Sequence, residues 1–150
     1  MTKLKIALFL VAVGILGALS FRFFDQPAQA PSQDEVPFNG PVATTHPDIR
    51  VTSPKPNSVV NSPVRITGEA RGFWYFEASF PVELLDADGQ RLAIEPVQAQ
   101  GEWMTEEFVP FDMTLDFTPT TPTGVLILHK DNPSGLPEHD ASVQIPVQFE

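Results

Sequence analysis

The stretch TGEARGFWYFEASFPVELLDADGQ, residues 67–90, decides how the rest of the 150-residue chain is read. Phe76, Ala78, Phe80, Val82 and Leu84 stand at every second position, and an extended backbone sends alternate side chains to opposite faces. The spacing predicts a long half-buried strand with these five residues on its core face and Glu77, Ser79, Pro81 and Glu83 toward solvent. Asp88-Gly89 then supplies a pair that tolerates positive φ, as a tight hairpin turn requires, so the strand is expected to fold back onto residues 90–99. Gly72 opens a run of four consecutive rings, Phe73, Trp74, Tyr75 and Phe76, more than one face can bury. With Phe76 inward, alternation places Tyr75 on the other side of the sheet.

Working outward, Ile49-Arg50-Val51 reads as a short strand. Pro54, Pro56, Asn57 and Ser58 form a turn, and Asn61-Ser62-Pro63 forms another before a strand from Val64. Val59-Val60 between them can touch the core. Phe111, Met113, Leu115 and Phe117 alternate with Asp112, Thr114 and Asp116, and Val143, Ile145, Val147 and Phe149 alternate with Gln144, Pro146 and Gln148. Residues 124–130 complete the set. About seven strands in about 100 residues without helical periodicity predict an all-β, immunoglobulin-like β-sandwich over residues 49–150. Pro81 and Pro146 belong on edges or at bulges, because proline cannot donate to a ladder.

The N-terminal third differs in kind. Lys3 and Lys5 precede residues 6–19, which are all apolar or glycine, and SFRFFD follows. This is an export signal. An uncleaved transmembrane anchor over residues 1–24 is expected: Ala28-Gln29-Ala30 lies far beyond the apolar run and precedes Pro31, and Ala18-Leu19-Ser20 would cut inside it. About 20 helical residues span the hydrocarbon core, a length reached here if Arg22 snorkels. The lysines hold their end inside, so a single pass through the cell membrane leaves the domain extracytoplasmic. The alternative is a signal peptide, cleavage and a secreted protein. Residues 25–48 carry five prolines among polar and small residues and read as a semi-extended tether.

Nine basic against nineteen acidic residues give a net charge of −10. Nucleic acid is thereby disfavoured as a partner, since phosphate binding needs a cationic footprint. The chain has no cysteine, which excludes disulfides, thiolate metal sites, thiol catalysis and a lipidated cysteine anchor.

Five motifs in order, VTSPKPNSVVNSPVRITGEARG, WYFEASFPVELLDADG, GEW, LILHKDNPSG and IPVQF, resemble the immunoglobulin-like domain of bacterial spore germination, the Gmad type found beside GerM-type domains. The resemblance runs over residues 49–149. It implies an extracytoplasmic sandwich, often anchored by a signal sequence or lipid, with no established catalytic residues. The GerM-type partner domain is missing from this sequence.

Two classes of function follow. The first is a non-enzymatic binding or scaffolding module, tethered to the bacterial cytoplasmic membrane by its N-terminal helix, whose aromatic edge contacts an envelope protein or a glycan. Tyr75, Trp103 and Trp74 are its candidate binding residues, because Trp and Tyr join large contact area to a polar tip. Either tryptophan can instead be the core tryptophan common in sandwiches. The second class is a metal-dependent or hydrolytic envelope protein using the segment from His129 to Asp140. Asp131, Asn132, Ser134, Glu138 and Asp140 offer the hard oxygen ligands calcium prefers, though not at EF-hand spacing. His129, Ser134, His139 and Asp140 hold the residue types of a nucleophilic triad without a strand-to-helix elbow, and they otherwise read as a polar turn. No catalytic residue and no cofactor is assigned from the sequence.

Overall fold

The computed structural model describes residues 44–150. The expected anchor at residues 1–24 and nearly all of the tether at 25–48 lie outside the described residues. Among the described residues no helix is long and apolar enough to cross a membrane.

Among the described residues eight strands form two sheets. β1 (Ile49–Ser53), β3 (Val64–Arg71) and β6 (Phe108–Leu115) make a three-stranded antiparallel sheet with β3 in the middle. β2 (Ser58–Val60), β8 (Ser142–Phe149), β7 (Thr123–His129), β4 (Ser79–Asp86) and β5 (Arg91–Gln98) make a five-stranded sheet in that order. The strand beyond the expected seven is β2, three residues that pair parallel to the end of β8, with Val60 buried and Val59 exposed.

Alternation holds where a strand has one face on the core. Phe80, Val82 and Leu84 of β4, Val143, Ile145 and Val147 of β8, and Phe111 and Leu115 of β6 are all buried. Phe80 is the aromatic centre, with Tyr75 and Phe111 at 5.0 and 5.3 Å between ring centroids and Trp74 at 6.5 Å. Edge-to-face and tilted packing of this kind adds to the area buried. Pro81 lies beyond the paired length of β7, whose ladder with β4 begins at Val82. Pro146 lies just before the short pairing with β2, and its carbonyl accepts the Asn57 N–H at 2.6 Å.

Three expectations about the central stretch need correction. The strand does not begin at Phe76: residues 72–74 form a 3-10 turn, and Phe76 and Ser79 bridge around Glu77 and Ala78, both at positive φ. That tight turn resets the parity, so Phe76 faces outward and Tyr75 is buried, the reverse of the count from Phe80. The hairpin to β5 is a longer loop from Asp86 to Gln90, in which only Gly89 takes positive φ. Glu83, expected in solvent, is largely buried on the outer face of the sheet, where Arg91 Nε donates to it at 2.5 Å and His129 Nε2 lies 3.1 Å away.

Candidate functional site

The β3–β4 and β5–β6 connections, which pass from one sheet to the other, and the loop of the β7–β8 hairpin lie at one end of the sandwich. Backbone hydrogen bonds tie the three connections together. Gly72 N–H donates to Glu107 at 3.1 Å, Ala99 N–H to Ala78 at 2.8 Å, and Asp131 N–H to Trp74 at 3.0 Å. Gly72 is needed for space rather than for an unusual φ. A Cβ there would lie 1.9 and 2.2 Å from the Thr105 and Trp103 carbonyl oxygens. The end is therefore a rigid platform, and such platforms commonly carry binding residues on their loops.

Of the predicted binding residues, Trp74 is fully buried, T-stacked at 5.0 Å on His46, and its indole N–H has no partner among the described residues. Tyr75, the ring expected at the surface, is 3% exposed, and its hydroxyl donates to the Val109 carbonyl at 2.8 Å. Burial pushes the Tyr75 phenol above its ordinary range. Trp103 is half-buried and packs on the core edge. The rings that reach the surface are instead Phe73 and Phe76, 50% and 42% exposed. Nothing in the alternation pointed to them. The only hint was the excess of rings.

These two phenylalanines form one wall of an open groove of about 360 Å³ whose other wall is the start of the β7–β8 connection, from Lys130 to Ser134, with His139. The aromatic run and the polar segment, separate leads in the sequence, thus meet in one place. The polar side chains of this segment, those of the wall residues Asn132 and Ser134 included, are committed to its own turn. Asn132 Nδ2 donates to Asp140 Oδ1 at 2.6 Å and to the Leu136 carbonyl at 2.9 Å, and Ser134 Oγ donates to Asn132 Oδ1 at 2.6 Å. His129 turns away to Glu83, so Ser134 has a neighbouring amide rather than an imidazole as its acceptor. Glu138 is exposed on the short 3-10 turn at Pro137–His139. Among the described residues no three His, Asp or Glu side chains converge as a metal site.

Asp131 stands apart within the segment. Burial, and secondarily the charge of Glu77, raise its carboxyl above the ordinary value, against an opposing hydrogen bond from the Asn132 N–H. Glu77 follows Phe76 in the strained turn, with φ 50 and then φ 63 at Ala78. An L-residue pays roughly 1–2 kcal/mol in that region, so this wall of the groove is held against local preference.

Two sheets of mostly antiparallel strands closed around an aromatic centre, with an open groove on the connections at one end, define an immunoglobulin-like domain. The chain belongs to the family described as the immunoglobulin-like domain of bacterial spore germination, Gmad2, whose pattern matches residues 48–135, from the entry into β1 through the groove wall. Domains of this family are generally non-enzymatic. No curated protein matches the sequence.

Proposed function

We propose that the chain is a non-enzymatic binding module of the bacterial cell envelope, held to the cytoplasmic membrane by residues 1–24 and spaced from it by residues 25–48. The groove between the Phe73–Phe76 turn and residues 130–134 is its binding surface, and an envelope protein or a glycan is its ligand. The observation that carries this reading is the pair of exposed phenylalanines on a platform fixed by backbone hydrogen bonds. Exposed rings grouped in one concave place are a feature of interaction surfaces, where a few aromatic anchors supply most of the affinity.

A photocrosslinking residue at Phe76 of the full-length chain, in native membranes, tests it. A discrete adduct is expected from that position and not from Ile94, which is exposed on the edge strand β5. Equal labelling from both positions, or none from Phe76, would remove the groove as the binding surface. Mass spectrometry of the mature protein tests the anchor separately: an N-terminus at Phe21 or Pro31 overturns it.

A further inference from the structure

We propose that the groove is occupied by a segment of the chain itself, Val36 to Val42, with the Phe38 ring against Phe73 and Phe76. The segment lies outside the described residues. Where the chain joins the domain and what the groove can hold both lead to it. Any ligand of the groove must then displace it.

The chain reaches the domain beside the groove. Ile49 opens β1 opposite Ala70, at the end where the three connections lie. The Asp48 carbonyl accepts the Arg71 N–H at 2.8 Å, and the His46 ring stacks on Trp74 at 5.0 Å. Trp74 stands between Phe73 and Tyr75, both in the groove lining, and its carbonyl accepts the N–H of Asp131, also in the lining. The residues ahead of His46 therefore start next to the groove. Phe38 stands eight positions before His46, a reach of about 25 Å for an extended proline-rich chain, whereas Trp74 and Phe76 are only two residues apart. Asn39-Gly40 lies between, a pair that lets a chain turn back.

The groove calls for an uncharged, apolar occupant. Lys130 and Asp131 stand side by side in its lining, so neither sign of charge is favoured. The Asn132 and Ser134 side chains are hydrogen-bonded within their own turn, and the Tyr75 hydroxyl is held by the Val109 carbonyl, which leaves few groups to read the hydroxyls of a sugar. What stays open is the pair of rings. Residues 36–45, VPFNGPVATT, carry no charge, and Phe38 is the only phenylalanine, tyrosine or tryptophan between Phe24 and Phe73. Aromatic-lined grooves take proline-rich segments because the extended conformation is preformed and little entropy is lost on docking. A short linker presents such a segment at an effective concentration on the order of millimolar, so weak contacts suffice to fill the groove for much of the time.

NMR of the isotopically labelled full-length chain in detergent micelles tests the occupant. Nuclear Overhauser contacts are expected from the Phe38 ring to Phe73 and Phe76. Phe38→Ser should shift the signals of those two rings and leave the core signal of Phe80 in place. In native membranes the same substitution should raise the adduct with a partner from a photocrosslinking residue at Phe76 by about twofold or more, since a groove closed half of the time binds with half its intrinsic affinity.

No contact from Phe38 to either ring, or ring signals unmoved by Phe38→Ser, would overturn the inference. So would contacts that appear only between a labelled and an unlabelled copy, because the segment would then come from a neighbouring chain. A partner adduct at Phe76 that Phe38→Ser leaves unchanged or lowers would overturn it while keeping the groove as the binding surface. Phe38 contacts without any partner adduct would uphold it and remove the outside ligand, so the two proposals fail by different signs.

Discussion

Asp86 closes the β4–β5 hairpin, and replacing it offers a quantitative test of how this end of the sandwich is held. Its Oδ1 accepts the N–H groups of Asp88 and Gln90 at 2.9 and 2.8 Å, while Oδ2 accepts the Thr120 hydroxyl from the strand connection alongside. The backbone adds Asp86 N–H to Gln90 and Gly89 N–H to Asp86. Asp86→Ala removes three hydrogen bonds to a charged acceptor, each of which contributes about 1.5–3 kcal/mol where the freed donor stays dry. The donors of residues 88 and 90 lie in an exposed turn where water can replace the lost acceptor. The net loss should then be about 2–3 kcal/mol, or roughly 10–20 °C in Tm for a domain of this size. Asp86→Asn keeps an acceptor for the two N–H groups and should lose less. The Thr120 hydroxyl, followed by the turn N–H groups, holds the Asp86 carboxyl below its ordinary value. Because the folded value is depressed, its contribution is present above the unfolded value of about 3.9 and disappears as pH falls through the folded one. Urea denaturation of wild type and Asp86→Ala at neutral pH and at successively lower pH checks both parts. A difference within about 0.5 kcal/mol at neutral pH, or one that persists undiminished at strongly acidic pH, refutes the reasoning.

Phe80→Ala should cost about 3–5 kcal/mol, and Glu83→Ala about 1–2 kcal/mol through its lost bonds to Arg91 and His129; a silent Glu83 variant in chemical denaturation would show that those contacts contribute nothing. Ala78→Gly should stabilise by about 0.5–1 kcal/mol, the relief of positive φ less the added freedom of the unfolded chain. A lower Tm would mean that the turn is not strained. Asp131→Asn should raise stability at neutral pH: the folded carboxyl titrates above its unfolded value, so wild type loses stability as pH rises between the two and the amide does not. Denaturation midpoints that differ by the same amount at low and neutral pH would contradict the assignment.

Much of the sandwich was legible because burial enforces a period of two on every strand with one face against the core. The register of β8 could be read from Val143, Ile145 and Val147, and that of β4 from Phe80, Val82 and Leu84. The count failed where the chain stopped being a strand. Glu77 and Ala78 adopt a turn that glycine or asparagine would normally signal, so parity was carried through a reversal and assigned Tyr75 and Phe76 to the wrong sides. It failed again on the outer face of the five-stranded sheet. There Glu83 and Gln144 flank Ile127 in register and all three are buried, although two of them are polar. In the middle of a wide sheet the neighbouring side chains close over a residue without a second layer above it. Arg91 and His129 do this for Glu83. Pattern alone cannot distinguish that burial from burial in the core.

The two failures differ in what they imply. At Glu83 the departure from the pattern is compensated locally, since each carboxylate oxygen has a partner and the residue resembles any satisfied buried acid. At the groove it is not compensated. Two non-glycine residues hold positive φ, and two phenylalanines lie open. Each feature costs the isolated fold free energy, and relaxing any one of them takes no more than a single substitution. Strain persists only where surrounding structure over-determines it, and such places cluster at ligand clamps and active sites. The hydrogen bonds that join the three connections supply the over-determination here. A ligand that covers the open rings would offset part of that cost.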